Sequence, residues 1–205
     1  MFDPAPAVAR NALTIDVEDW FQVSALAPHI DRAHWDRTHC RVEANIERLL
    51  LALERHQARA TFFTLGWIAE RYPALVRNIV AAGHELASHG YGHLRVSDQT
   101  RAEFLDDITR AKALLEDLGG VKVTGYRAPS FSIGKSNLWA FDVLREAGYD
   151  YSSSVYPVQH DHYGMPDAPR TPFMSFGDTV HLEARQPDGR RGPFGSIEQR
   201  VVRAG

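Results

Sequence analysis

Two spacings of hydrophobic residues alternate along the chain. Short apolar runs occur at Ala12–Ile15, Ala60–Phe63, His84–Ala87, Val121–Arg127 and Tyr149–Ser153. Runs this short, several of them ending in a polar residue, predict buried strands. Between them the spacing becomes helical. Val42, Ile46, Leu49, Leu50 and Leu53 predict an amphipathic helix to about Gln57. A second helix starts near Pro73, where proline suits a first turn, and stops at Gly83. A third, capped by Asp98 or Thr100, runs through Phe104, Ile108, Ala111, Leu115 and Leu118 to Gly119-Gly120. A fourth, capped by Ser136, carries Leu138, Phe141 and Leu144 and ends at Gly148. Residues 19–40 have no clear period and read as a long irregular insertion. Residues 177–205 are rich in Gly, Arg, Asp and Pro and carry no periodic element, so they read as a divergent tail.

Strands alternating with helices predict an α/β fold with a parallel sheet and helical crossovers. The chain has 205 residues, enough for one sizeable core, so 1–205 is expected to form a single domain with its motifs in 12–175. A net charge of −3 gives no basic footprint for nucleic acid or a membrane surface. The lone cysteine, Cys40, excludes a disulfide framework within the chain and is read as a structural thiol. No apolar run approaches the roughly 18 residues of a membrane span, and no secretory signal is visible, so the default compartment is the cytoplasm.

Function in a parallel α/β fold collects at the carboxyl ends of the strands. Asp16, Glu18 and Asp19 follow the first strand, His89 and His93 the third, and Arg127 closes the fourth. His89-Gly-Tyr-Gly-His93 is the sharpest local feature. Histidines four apart on one helical turn share a face, and two imidazoles with a carboxylate make a usual catalytic zinc set. The alternative is a pair of surface histidines in a glycine-containing loop. Asp16-Val-Glu18-Asp19 offers a base and a ligand together, or an acidic cap for a helix. Arg127 either orients a carboxylate or makes a structural ion pair. Trp20, Phe21, Trp67, Phe131 and Tyr156 line a sugar cleft or pack the core. His160-Asp161-His162 is a weak chelate, because next-but-one side chains alternate in direction along an extended chain. His29, His34 and His39 are expected to be solvated.

Taken together, these motifs resemble the polysaccharide deacetylase family, whose domain is also called the NodB-homology or carbohydrate esterase family 4 domain. The matching stretches are Leu13–Trp20, Ala60–Gly66, Gly83–His93, Tyr126–Pro129 and Tyr149–Pro157. The Asp-Val-Glu-Asp form and His160–Gly164 look like the branch found in bacterial exopolysaccharide loci. The resemblance implies a distorted (β/α) barrel and one divalent metal ion, usually zinc. It also implies hydrolysis of the N-acetyl group of an N-acetylated poly- or oligosaccharide. By resemblance Asp16 matches the general base and Arg127 the arginine that holds it. His89 and His93 match the metal histidines, with Glu18 as third ligand and Asp19 as the fallback. Trp20, Pro129 and Tyr156 are the implied substrate contacts. The usual proline-tyrosine-glycine after the arginine reads Pro129-Ser130-Phe131 here.

The family also implies a late-strand histidine that protonates the departing amine. Its usual setting is not found, and His181 is the nearest candidate. Only five strands are legible, so the barrel is expected to be incomplete at its C-terminal end. The missing acid leaves a catalytically impaired metal- and glycan-binding remnant as one alternative, and the resemblance to related amidohydrolases of the same superfamily leaves a small amide as the substrate as another.

Overall fold

The structure, a computed structural model, describes residues 12–160, 163–170 and 173. Five strands form one parallel sheet: β1 (Leu13–Val17), β2 (Ala60–Thr64), β3 (Glu85–Ser88), β4 (Gly125–Tyr126) and β5 (Tyr151–Ser152). Their order across the sheet is their order in the chain. A doubly wound sheet reverses direction at a switch point, whereas a (β/α) barrel winds steadily one way. The observed order is therefore the barrel-type winding expected of this α/β fold. Among the described residues it forms an arc with β1 and β5 at its edges.

The register sets which side chains share a face of the sheet. Thr14 and Asp16 lie opposite Thr61 and Phe63, which lie opposite Glu85 and Ala87. This inner face sets polar side chains beside Phe63 and Ala87, and on it Glu85 accepts hydrogen bonds from Thr61 Oγ1 at 2.6 Å and Tyr151 Oη at 2.7 Å. Gly125 has no side chain there because a Cβ would sit 2.2 Å from the Tyr151 ring. The outer face packs on helices. Val17 and Phe62 join one core with α1 (Val42–Arg55), α2 (Gly66–Arg71) and α3 (Pro73–Ala81). Leu86 and Tyr126 join a second with α4 (Arg101–Gly119) and α5 (Ala140–Glu146).

Local chemistry sets the element ends. Thr100, not Asp98, caps α4 through a reciprocal box in which Thr100 N donates to Glu103 Oε2 and Glu103 N donates to Thr100 Oγ1. Gly120 ends that helix at φ +63°. Ser136 is not a cap: it lies in a separate 3₁₀ turn, Lys135–Asn137, closed by Gly134 N donating to Asn137 Oδ1 at 2.7 Å. The expected strand 121–127 shrinks to Gly125–Tyr126. The backbone of Val123 is taken by α4 instead, its carbonyl by Lys112 Nζ and its N–H by Glu116 Oε1. The irregular stretch 19–40 contains two 3₁₀ turns, Ser24–Leu26 and Arg32–Arg37, anchored by the buried rings of Phe21 and Trp35. Residues 177–205 and His181 lie outside the described residues. No helix among the described residues is long and apolar enough to cross a membrane.

Candidate active site

The carboxyl ends of β1, β3 and β4 deliver the predicted residues to one place. Glu18, His89 and His93 present one ligand atom each within 4.8 Å of one another. The two imidazole centroids are 5.3 Å apart. The histidines do not share a helical turn, as their spacing predicted. Residues 89–93 are a loop, with Gly90 at φ +75° and His93 at φ +54°. Two left-handed residues break any helix, so the loop must be held from outside.

Three elements hold it. The first N–H groups of α2, Gly66 and Trp67, donate to the carbonyls of Gly90 and Tyr91, both at 2.9 Å. Asp107, on α4, accepts from the N–H groups of Tyr91 (2.9 Å) and Gly92 (3.3 Å). The Arg32 guanidinium donates to the carbonyls of Gly92 and, at 2.8 Å, His93. Gly90 is required on two counts: its backbone is left-handed, and a Cβ would lie 2.7 Å from Asp107 Oδ2. Burial pushes the Asp107 carboxyl above the usual carboxylate range, opposed by the two N–H groups and Arg32. Neither Arg32 nor Asp107 was singled out from sequence, because the loop's backbone partners leave no residue pattern.

Each candidate ligand is set up separately. His89 is buried and donates from Nδ1 to the Arg127 carbonyl at 2.8 Å, which leaves the Nε2 lone pair facing the site. Burial, the largest influence, lowers its pKa below the usual 6.5, so the ring is kept in the neutral form that binds metals. Glu18 Oε2 is buried 2.7 Å from His93 Nε2 without the geometry of a hydrogen bond. An orphaned carboxylate oxygen between two imidazoles fits a divalent cation. Asp19, the fallback ligand, is corrected by the structure. It is 4% exposed, and its carboxylate accepts hydrogen bonds from Trp20 N, Arg41 N, Val42 N and Cys40 Sγ. It therefore caps α1 from 23 residues away in sequence. The helix-cap reading was right for Asp19, and the helix it serves is distant.

Arg127 reaches across the arc. Its Nη1 donates to Asp16 Oδ1 at 2.7 Å and its Nη2 to Thr14 Oγ1 at 2.9 Å and Ser153 Oγ at 2.8 Å. Its guanidinium lies 4.1 Å from the Phe63 ring centroid. Asp16 Oδ2 is 4.0 Å from His89 Nε2. One oxygen of Asp16 is thus held by arginine and the other faces His89.

The cluster sits in a cavity of about 1370 Å³. Trp20, Pro129 and Tyr156 are not among its lining residues. Trp20 is 39% exposed and donates from Nε1 to the His39 carbonyl, Pro129 is buried, and Tyr156 packs against the rings of Phe131 and Tyr163. Phe21 lines the wall but belongs to the core with Trp67. The insertion supplies His29 and His34 to one wall, and Phe131, His160 and Tyr163 form part of another. Asp161 and His162 lie outside the described residues. Cys40 is a partly buried thiol whose pKa is raised by desolvation and by Asp19, in line with a structural role.

Comparison with known proteins adds an independent line. A family model described as "Polysaccharide deacetylase" matches residues 34–152, a span that includes both histidines and Arg127. A peptidoglycan deacetylase from Helicobacter pylori is 33% identical over 113 residues, covering 55% of this chain and 38% of that protein. A peptidoglycan-N-acetylglucosamine deacetylase from Bacillus cereus is 32% identical over 94 residues, covering 45% of this chain and 34% of that protein. The chain thus spans little more than a third of the length of these curated relatives. A crystal structure of a candidate polysaccharide deacetylase from Mycobacterium smegmatis superposes with a TM-score of 0.59 at 30% identity. It covers 73% of this chain and 52% of the other.

Proposed function

The chain belongs to the polysaccharide deacetylase family, and from that premise we propose that it hydrolyses the N-acetyl group of an N-acetylated amino sugar within a poly- or oligosaccharide, with one divalent ion, zinc, as cofactor. The observation that carries this reading is the convergence of Glu18, His89 and His93 beside an arginine-held carboxylate, Asp16. The names of the relatives support a glycan acetamide as the substrate. The cavity, larger than the roughly 300–1,000 Å³ of small-molecule pockets, supports a polymer over a small amide. The Asp-Val-Glu-Asp variant is the basis for taking that polymer to be an exopolysaccharide. In this reading 1–205 acts as a single domain.

Glu18 and the two histidines would hold the ion, which when bound polarises the acetyl carbonyl and acidifies the attacking water. The remaining steps belong to the chain's own groups. Asp16 takes the water's proton on Oδ2 while the water oxygen bonds to the acetyl carbon. Arg127 aims Asp16, because its guanidinium holds Oδ1 and leaves Oδ2 turned to His89. The His89 Nδ1–H bond to the Arg127 carbonyl fixes the tautomer of that imidazole. The C–N bond then breaks: the amine nitrogen takes the proton that Asp16 took from the water, which returns Asp16 to its carboxylate, and acetic acid leaves.

The test is acetate release by the zinc-loaded chain from acetylated chitooligosaccharide and from a small acetamide lacking a sugar, each with and without chelator. The reading expects chelator-sensitive release from the oligosaccharide only. Release from the small amide alone would move the chain to the amidohydrolase reading, and metal-saturated protein inert on both would favour the impaired remnant.

A further inference from the structure

Four rings meet at one wall of the cavity, and three of them line it. Phe131 lies 5.2 Å from Tyr156 and 5.8 Å from Tyr163, and His160 stacks on Tyr163 at 4.1 Å with only 11° between the planes. Phe131, His160 and Tyr163 line the same cavity as Asp16, Glu18, His89 and His93. The wall is continuous with the chemistry, since the Phe131 ring centroid is 5.5 Å from the Arg127 guanidinium that holds Asp16.

Ordinary core packing does not account for this group. Phe131, Tyr156 and Tyr163 belong to neither apolar core, and His160 is exposed. The wall is also built against backbone preference. Ser130 and Phe131 both have positive φ, +54° and +48°, which residues with a Cβ rarely adopt. Ser130 is tied to the insertion by a 2.5 Å hydroxyl contact with Ser24. Tyr163 and His160 sit on a loop closed at its base by Met165 N donating to the Tyr156 carbonyl at 2.8 Å and across its neck by His160 N donating to the Tyr163 carbonyl at 3.2 Å. The turn passes through Gly164 at φ +118°, where a Cβ would lie 2.1 Å from the Val158 carbonyl oxygen. Strain of this kind persists where the surroundings over-determine it, which is characteristic of ligand contacts.

We propose that Phe131, Tyr163 and His160 form a subsite that stacks on the pyranose ring next to the one losing its acetyl group. A β-linked gluco-configured ring keeps its hydroxyls at the rim and presents C–H bonds on its faces. Those faces suit the negative face of an aromatic ring. The proposal rests on the deacetylase reading and deepens it: the protein would recognise at least two adjoining sugars.

Isothermal titration of the metal-stripped full chain separates binding from turnover. The probes are N-acetylglucosamine and its fully acetylated β-1,4 tetramer. Wild type should bind the tetramer more tightly than the monomer. Tyr163→Ala and the exposed His160→Ala should each lower the ratio of the two affinities by roughly 3- to 10-fold, the worth of one aromatic contact. Tyr163→Phe should keep the ratio, because the ring and not the hydroxyl does the stacking. The proposal is overturned if the ratio stays at the wild-type value in both alanine variants, or if wild type binds both sugars equally. Acetate release by the zinc-loaded wild type distinguishes the two levels. Release with unchanged ratios sinks the subsite alone, and neither binding nor release sinks the deacetylase reading with it.

Discussion

Arg127 and Asp16 meet at 2.7 Å although 111 residues and the whole of β2 and β3 separate them. In a flat sheet the first and fourth strands lie about 14 Å apart, so this contact exists only because the sheet curls. The pair is a structural tie across the arc as well as part of the site. Arg127→Ala should therefore lower unfolding free energy by about 3 kcal/mol, since it strands Asp16, Thr14 and Ser153 together. Arg127→Lys should recover only part of this, because an ammonium cannot serve three partners in a fork. Denaturant unfolding of the three proteins checks it, and wild-type stability in the alanine variant would contradict it.

The clamp on the histidine loop predicts an effect on metal affinity from residues that touch no metal. Arg32 holds the carbonyl of His93, and Asp107 holds the N–H groups before it. Outer supports of this kind typically change affinity by about 10–100-fold. Arg32→Ala should weaken zinc binding by that order in a chelator competition, with a smaller loss of global stability. Unaltered affinity would show that the loop holds its shape unaided.

Adjacent acidic residues should separate cleanly. Asp19→Ala removes the cap of α1 and should cost about 2 kcal/mol in stability while zinc content stays at one per chain. Glu18→Gln should do the reverse, keeping stability and lowering zinc content. Loss of zinc in the Asp19 variant at temperatures where it remains folded would reverse the assignment.

Protonation of His89 gives a pH signature in the metal-free chain. Burial lowers its pKa below 6.5, so under acid the unfolded chain takes up a proton that the folded chain refuses. Stability then rises with pH through the window between the lowered value and about 6.5, and is lost as pH falls through it. His89→Gln should flatten that slope. Equal slopes in the two proteins would mean that other groups carry the acid sensitivity.

The parallel α/β sheet was legible from the alternation of apolar runs with helical spacing, and the grouping of Glu18, His89 and His93 from their places just past strand ends, whereas the barrel-type winding followed from the family resemblance. What escaped the sequence was set by tertiary contacts without local period. Six-residue α2 is too short to show a helical repeat, and β4 was overestimated because Lys112 and Glu116 take the Val123 backbone. Asp19 was left open between two roles because its helix starts at Val42, far along the chain. The aromatic wall was only half visible: Phe131 and Tyr156 were candidates, but Tyr163 and His160 join them through a loop closed by backbone bonds.

The central claim is that Asp16 acts as a base beside a metal held by other residues. It is tested most directly by measuring zinc content and acetate release from acetylated chitotetraose in parallel for wild type and Asp16→Asn. Asparagine keeps the shape of the side chain but cannot take a proton. The account predicts one zinc per chain in both proteins and a turnover lower in the variant by roughly 10²–10⁴-fold. Turnover within a few-fold of wild type at full zinc occupancy would contradict it.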